Sequence, residues 1–365
     1  MEVARLPRDL HPVAWWLWAI GLATAASLTT NPLLLLLLIG VATLVVMARR
    51  SDQPWAASYR LYVWVGVAIV LIRIVFRILF STGGPTVLLD LPAVPLPGWA
   101  AGVTLLGPLT LESLLAGFYD GLRLATIVIA VGAANALANP KRLLRSVPPA
   151  LYEIGTALVV AVSVLPQFAD SVRRVRAAQS LRGGAEGRIG RLRRVLVPVL
   201  EDALERSLAL AAGMDTRGYG RSGSLTPAHR RRTGALMLVG LCGVCVGTYA
   251  FLDQSAPRIL ALPMLALGLL AALGGLLHAG RTVERTRYRP DRWRWPELVV
   301  ACSGIVVAAG GWWISGRQSL IAHPGVDAFP QVSLVALLAA GAALSGALCS
   351  PPPSVARPVR EEVAA

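Results

Sequence analysis

Residues 168–232 read FADSVRRVRAAQSLRGGAEGRIGRLRRVLVPVLEDALERSLALAAGMDTRGYGRSGSLTPAHRRR, and this stretch decides how the rest of the chain is arranged. It carries fourteen arginines, six acidic residues and no lysine. Charge at this density does not lie in hydrocarbon, because an arginine at the centre of a membrane costs about 3 kcal/mol or more. Apolar runs lie on both sides, so the stretch is predicted to stand outside a membrane that the flanking segments cross.

The composition predicts a membrane protein built from helices. Of the 365 residues, 55% are hydrophobic and 15% are charged, whereas about a quarter of the residues in a soluble domain are charged. Several runs of about 17 or more apolar residues are long enough to cross the hydrocarbon of a bilayer as helices. The predicted fold class is all-α, a polytopic membrane protein with about eight transmembrane helices and a cytoplasmic pair of long helices.

The basic loops predict the direction of these spans. Alternating the sides through eight spans places every arginine-rich loop and both termini on the cytoplasmic side, as the positive-inside rule requires. Lys141 is the only lysine among 35 basic residues, and this bias fits a GC-rich bacterial genome and therefore the bacterial cell membrane. The predicted spans are about Val13–Leu28, Leu33–Met47, Leu61–Phe80, Leu111–Leu137, Ala235–Leu252, Ile259–His278, Leu298–Ser315 and Val332–Leu348.

The polar and apolar segments predict four parts of the chain. These are N-terminal transmembrane helices in 1–142, a cytoplasmic region in 143–233, C-terminal transmembrane helices in 234–350 and a cytoplasmic tail in 351–365. The apolar run Leu143–Leu165 is broken by Pro148-Pro149 and has basic residues at both ends. A full crossing would violate the positive-inside rule, so a surface-lying or re-entrant helical pair is predicted there.

Several functional classes are disfavoured by the sequence. The net charge of +15 follows from basic cytoplasmic loops and predicts no nucleic-acid binding, because no separate basic domain is present. Cys242 and Cys245 have the spacing of a metal-binding pair but lack a second pair, and the four histidines are scattered, so neither a metal site nor a cofactor is predicted. No phosphate-binding loop of the Gly-x-x-x-x-Gly-Lys-Ser/Thr type occurs, so the chain is not expected to bind ATP itself.

Two long helices are predicted in the central stretch, and each ends in a similar phrase. The first runs from about Tyr152 to Leu181 and ends in Ala-Gln-Ser-Leu-Arg-Gly, residues 178–183. The second is amphipathic, begins at about Gly187 and stops near Gly213, before Met-Asp-Thr-Arg-Gly. Its predicted apolar face holds Ile189, Leu192, Leu196, Val199 and Ala203, and Pro198 is expected to kink it.

The arginine before glycine in each phrase, Arg182 or Arg217, has two interpretations. An arginine at a helix end is favoured by the negative pole of the helix dipole. It also presents a rigid fork of donors that suits carboxylates or backbone carbonyls of a soluble partner. Ordinary positive-inside arginines at helix ends are the alternative, and the likeness of the two phrases favours the docking interpretation.

At this point the chain resembles the transmembrane (T) component of energy-coupling-factor transporters, a group that includes the CbiQ proteins. Two Ala-Arg-Gly-like signatures end the cytoplasmic coupling helices of that family. Here the triplets are Leu181-Arg182-Gly183 and Thr216-Arg217-Gly218, with Leu181 and Thr216 in place of alanine. The resemblance covers about residues 8–250, and the last three spans depart from it. Further similar phrases are Leu10-His11-Pro12, Asn31-Pro32 and Asn139-Pro140.

The resemblance implies a membrane scaffold that is not itself an enzyme. Such a scaffold joins two ABC-type ATPase subunits to a substrate-binding membrane protein, the S component, for the uptake of a vitamin or a transition-metal ion. The ATPase contacts would be Arg182 and Arg217 with their glycines Gly183 and Gly218. Residues expected to support the coupling helices are Gln179, Pro198 and Asp215.

Two other functions remain as alternatives. A self-contained secondary transporter would use Arg73, Arg77 and Arg123, which lie within predicted spans, to line a path for an anionic solute. Arg73 and Arg77 share one helical face, which is expected to meet other helices or water, although Arg77 could also extend to the outer surface. An integral-membrane enzyme acting on lipid would need clustered polar residues at one interface, and the sequence shows none.

Overall fold

The chain is almost entirely helical in the computed structural model, which describes residues 8–51, 54–80, 84–95, 104–146, 151–182, 188–219, 227–253, 258–280 and 291–352. A short 3-10 helix, Pro54–Ser58, precedes the third α-helix. In chain order the α-helices are α1 (Pro12–Ser27), α2 (Pro32–Arg49), α3 (Tyr59–Leu79), α4 (Leu111–Leu137), α5 (Pro140–Arg145), α6 (Tyr152–Arg182), α7 (Arg188–Thr216), α8 (Pro227–Leu252), α9 (Arg258–Gly280), α10 (Trp295–Arg317), α11 (Ser319–Ala322) and α12 (Leu334–Cys349).

The strands of the described residues all lie between α3 and α4. β1 (Val87–Asp90) pairs with β4 (Pro108–Thr110), and β2 (Val94–Pro95) pairs with β3 (Thr104–Leu105), both antiparallel. The nested pairing forms a narrow ribbon in the segment for which the sequence predicts an external loop. Thr110 then caps α4, because its side chain accepts a hydrogen bond from the backbone N–H of Ser113 at 3.3 Å.

Three of the helices begin at a proline that follows a capping side chain. His11 accepts a hydrogen bond from the N–H of Val13, Asn31 accepts one from Leu33, and Asn139 accepts one from Lys141. Proline suits the first helical position, because its missing N–H would have no partner there. The phrases His11-Pro12, Asn31-Pro32 and Asn139-Pro140 are therefore helix-start signals.

Helices α1–α4, α10 and α12 belong to one compact unit, which comprises Met1–Leu143 and Asp291–Ala365. α1 packs against both α4 and α10, and its Trp18 and Leu22 are buried. Gly304 of α10 lies against the backbone of α1, since a Cβ added at Gly304 would meet the Cα of Trp18 at 2.5 Å. Small residues that let two backbones approach closely are typical of helix pairs in membranes.

Helices α6–α9 belong to a second compact unit, Leu144–Pro290. α8 and α9 cross closely through glycines: a Cβ added at Gly243 would lie 2.7 Å from the Cα of Gly268. α6 packs against α7. The two units cut across the predicted parts of the chain, because α10–α12 pack with the N-terminal helices while α8 and α9 pack with each other.

The predicted spans fall on described helices, which confirms an all-α polytopic membrane protein. Seven helical segments of the described residues are long and apolar enough to cross a membrane, and α12 is a shorter apolar helix. One of the seven, Ile154–Leu181, lies in α6 and continues through Pro166. The sequence predicts a helical pair over Leu143–Leu165, whereas the described residues there form the end of the short α5 and the start of the single long α6.

Candidate functional site: the α6–α7 hairpin

Helices α6 and α7, which carry the two arginine phrases, form an antiparallel hairpin. The Ser171 hydroxyl of α6 donates a hydrogen bond to the Asp202 carboxylate of α7 at 2.5 Å. Farther along α6, the Gln179 side-chain amide donates to the carbonyl of Arg194 at 3.4 Å. Later residues of α6 thus meet earlier residues of α7. The side chain of Gln179, predicted to support the hairpin, lies at this contact.

The carboxylate of Asp202 gathers three partners in the hairpin. Besides the Ser171 hydroxyl, Arg206 Nε donates to it at 2.9 Å and a guanidinium nitrogen of Arg174 lies 3.8 Å away. The Ser171 hydrogen bond, followed by that of Arg206, lowers the pKa of Asp202 below its ordinary value of 3.8. Because the folded-state pKa is depressed, the contact is present at neutral pH and weakens only in acid, as the pH falls through that lowered pKa.

The end of α7 explains the glycine of the second phrase. The N–H of Tyr219 donates to the carbonyl of Met214 at 3.0 Å, and the N–H of Gly218 donates to that of Asp215 at 2.9 Å. Gly218 has φ +76°. These two bonds around a left-handed residue form a Schellman motif, which satisfies the last carbonyls of a helix. Asp215 contributes its backbone carbonyl to the motif, and Arg217 is the exposed capping residue.

Replacing Gly218 by alanine is expected to destabilise the end of α7 by about 1 kcal/mol, because a Cβ disfavours the left-handed conformation. Hydrogen–deuterium exchange of peptides covering 211–219 would rise. Gly213→Ala is the matched control, since Gly213 lies inside α7 with open space around its Cα. This control should leave exchange unchanged or lower it, because alanine favours helix over glycine. Equal effects of the two replacements would contradict the assignment of the motif.

The first phrase ends α6, whose last residue is Arg182. Leu181 beside it is 89% exposed, so this end of the helix projects from the packing of the described residues. The side chain of Arg182 and the whole of Gly183 lie outside the described residues. The backbone nevertheless places Arg182 at a helix end, as the sequence predicts.

The antiparallel arrangement separates the two arginines along the hairpin. Arg182 follows the Gln179–Arg194 contact by less than one turn of α6, whereas Arg217 directly follows the last residue of α7. At 1.5 Å per residue, the 22 steps of α7 from Arg194 to Thr216 span roughly 33 Å. The two arginine–glycine phrases therefore lie near opposite ends of the hairpin.

Comparison with known families identifies the chain at this point. The sequence profile of the CbiQ family, described as cobalt transport proteins, matches residues 4–227. The chain belongs to the CbiQ family. A similar protein is the energy-coupling factor transporter transmembrane protein EcfT of Leuconostoc gelidum subsp. gasicomitatum. It is 27% identical over 189 residues, which cover 49% of this chain and 67% of the relative.

The CbiQ match covers all three helix-start phrases and the whole hairpin, but it ends at the first residue of α8. Because the CbiQ family is described as transport proteins, the chain is a membrane component of a transporter rather than an enzyme. Helices α8–α12 lie beyond the match in sequence. Within the described residues of this CbiQ-family chain, no group of three or more His, Cys, Asp or Glu side chains is placed to hold a metal ion.

The arginines of the predicted spans make contacts inside the N-terminal unit. Arg77 of α3 pairs with Asp120 of α4 at 3.3 Å. Arg123 of α4 donates to the carbonyl of Ser27 at the end of α1, where a cation is favoured by the helix dipole. Arg77 thus meets a neighbouring helix, as its helical face predicts. Arg73 is exposed, although its Cβ lies near Gly121 of α4. The described contacts of Arg77 and Arg123 are structural and do not outline a solute path.

The helical periodicity of the sequence did not predict which apolar residues of α7 remain exposed. Val199, on the predicted apolar face, is 1% exposed, but Leu192 on the same face is 59% exposed. Pro198, the predicted kink, lies inside α7 beside Val199 and the helix continues past it. A row of exposed leucines at every fourth residue, here called the leucine ridge, consists of Leu192, Leu196, Leu200, Leu204 and Leu208. The four-residue spacing of these leucines is visible in the sequence and could have indicated a row of this kind.

Proposed function

We propose that this chain is the coupling scaffold of an energy-coupling-factor importer. In this proposal the α6–α7 hairpin binds two ATP-hydrolysing subunits through Arg182 and Arg217. Its apolar surface binds the S component, which carries a vitamin or a transition-metal ion. Hydrolysis of ATP takes place in the partner subunits, and the hairpin transmits the movement.

The placement of the two arginine–glycine phrases supports the proposal most. They lie near opposite ends of one two-helix element, roughly 33 Å apart along α7. A separation of this order suits two separate protein partners better than one small ligand, since ligand pockets are compact concave sites. At each end stands an arginine, the residue type whose planar fork of donors suits carboxylates or carbonyls.

The leucine ridge supports the S component as the second kind of partner. Its five leucines form an i, i+4 row that winds along α7, and the exposed fraction of each is 45–63%. An unpartnered apolar row with helical spacing is the kind of surface that binds an apolar groove or another helix. The basic residues around it, such as Arg193, keep the flanking surface polar.

The proposal is tested by replacing Arg182 and Arg217 together with glutamine in the full-length chain. The wild-type chain, purified from the membranes of its source cells, is expected to retain two ATPase subunits, recognised by peptides that contain a phosphate-binding loop. Interface arginines of this kind contribute about 2 kcal/mol each, so the double replacement is expected to weaken binding roughly a thousandfold. Mass spectrometry of the purified material measures the loss.

A matched control separates docking from charge. Arg173 and Arg193 are exposed arginines of the same hairpin that lie outside the two arginine–glycine phrases, and their joint replacement by glutamine removes the same charge. This control should retain the ATPases and the same amount of membrane-inserted protein. Undiminished ATPase recovery with the Arg182/Arg217 double variant would rule out the proposed contacts.

A further inference from the structure

Helices α10–α12, which follow the family match, form part of the N-terminal unit. Residues from Asp291 onward lie outside the matched range of 4–227, yet α10 packs along α1 and α12 packs against α2 and α10. The close approach of Gly21 and Gly304 fixes α10 against α1. These helices therefore share one packed core with α1, α2 and α4, which lie in the N-terminal part of the family match.

A polar junction joins the start of this C-terminal segment to α5. The guanidinium of Arg142 donates to both carboxylate oxygens of Asp291, with distances of 2.7–3.0 Å, and to the backbone carbonyl of Asp9 at 3.0 Å. A bidentate pair of this kind fixes orientation as well as distance. Arg142 thus holds α5, the N-terminal segment and the residues before α10 at one point.

A second ion pair strengthens the same junction. Glu297, in the first turn of α10, is 1% exposed, and both of its oxygens lie 3.0 Å from a guanidinium nitrogen of Arg8. Its carboxylate also accepts the backbone N–H of Arg294 at 3.1 Å, which caps the helix. Removing Arg8 would leave this carboxylate buried without a compensating charge, which is strongly unfavourable. The start of α10 is therefore held firmly against the N-terminal segment.

The position of Arg142 in the chain links this junction to movement of the hairpin. Arg142 lies in α5, and the chain leaves the first compact unit directly afterwards, at Leu143. It then continues to α6 of the hairpin, which begins at Tyr152. The chain returns to the first unit at Asp291, so the Arg142–Asp291 pair joins the points at which the chain leaves and re-enters that unit. An α5 that could swing freely would absorb a displacement of the hairpin before it reached the transmembrane helices.

We infer that the segment Asp291–Cys349 anchors the coupling hairpin, with Arg142 as the positioning residue that ties α5 to this anchor through Asp291. The inference rests on the proposed coupling function. It assigns a role to helices beyond the family match, namely to convert movement of the hairpin into movement of α10 and the core around it.

Amide hydrogen exchange of the full-length chain, purified with the ATPases that it retains, tests this inference. ATP with vanadate is used to trap the closed ATPases. In the wild type, trapping is expected to alter exchange across α6–α7 and also across 291–298. In Asp291→Asn, the change across α6–α7 should persist and the change across 291–298 should vanish. Exchange at 140–145 should rise about tenfold, as expected for the loss of a charge-assisted hydrogen bond.

Two further variants complete the experiment. Arg142→Lys keeps the charge but loses the bidentate geometry, so it should reduce the response across 291–298 without unfolding the chain. Asp327→Asn removes an exposed carboxylate that forms no ion pair within the described residues, and it should behave as the wild type.

The outcomes separate the two proposals. If the wild-type chain retains no ATPase, the coupling function itself fails, and the anchor fails with it. If the ATPases bind but 291–298 does not respond to trapping, only the anchor is overturned. A nucleotide response across 291–298 that survives in Asp291→Asn, despite faster exchange in both states, would make the junction purely structural and would also overturn the anchor.

Discussion

Replacement of Gly304 by leucine is expected to abolish the packing between α1 and α10. A Cβ at this position would lie 2.5 Å from the Cα of Trp18 and 2.7 Å from the carbonyl oxygen of Leu17. Both neighbours are backbone atoms, so no change of side-chain rotamer relieves the overlap. The helices must separate, and the dispersion contacts along the α1–α10 interface weaken steeply with distance. The expected loss is at least about 3 kcal/mol.

The measurement is the thermal midpoint and the monodisperse fraction of the full-length protein in detergent. Gly316→Leu is the matched control, because Gly316 lies in the same helix with no heavy atom within 4 Å of an added Cβ. This control should be neutral or slightly stabilising, since leucine favours helix more than glycine does. Similar midpoints for the two leucine variants would show that the α1–α10 contact is not as close as described.

The second large effect is expected from Asn31→Ala. Asn31 is completely buried and caps α2 through the N–H of Leu33. Its side-chain amide also donates to the carbonyls of Ile321 and Gln331, both at 2.8 Å. Loss of the cap costs about 1 kcal/mol, and loss of the two buried hydrogen bonds costs about 1 kcal/mol each. The expected decrease in the free energy of unfolding is about 3 kcal/mol.

The chain supplies its own comparison for this prediction. Asn139 precedes a proline and caps a helix in the same way, but it is partly exposed and its side-chain oxygen caps only the short α5. Asn139→Ala should therefore cost about 1 kcal/mol. Asn31→Asp keeps the capping acceptor but directs an oxygen at two carbonyls, so it should cost at least as much as Asn31→Ala. Equal denaturation midpoints for the two alanine variants would refute this account.

Helix starts were readable from the sequence because capping is local. A capping side chain acts on the backbone two or three residues later. His11, Asn31 and Asn139 therefore indicate where α1, α2 and α5 begin, and no knowledge of the fold is needed. The family signatures likewise located the ends of α6 and α7. At the second end the reason is again local, since the glycine at 218 serves a left-handed backbone position.

Contacts between distant segments were not readable in the same way. Nothing in the sequence near Gly21 indicates that α10 lies there, because a glycine in a transmembrane helix does not specify which helix packs against it. α6 runs through Pro166, because a proline removes one backbone bond and the rest of a 31-residue helix remains. In α7 the periodicity predicts an apolar face, but only the partner helix decides that Val199 is buried and Leu192 is not.

The hydrogen bonds between the two ends of the chain also bear on its biosynthesis. Arg142 and Asp291 are 149 residues apart, and Asn31 is 290 residues from Ile321. At a translation rate of about 5–20 residues per second, Arg142 waits roughly seven to thirty seconds after its synthesis for Asp291. Until then the first four helices hold unfilled polar and glycine-lined surfaces. A chain released before residue 291 therefore leaves those surfaces bare.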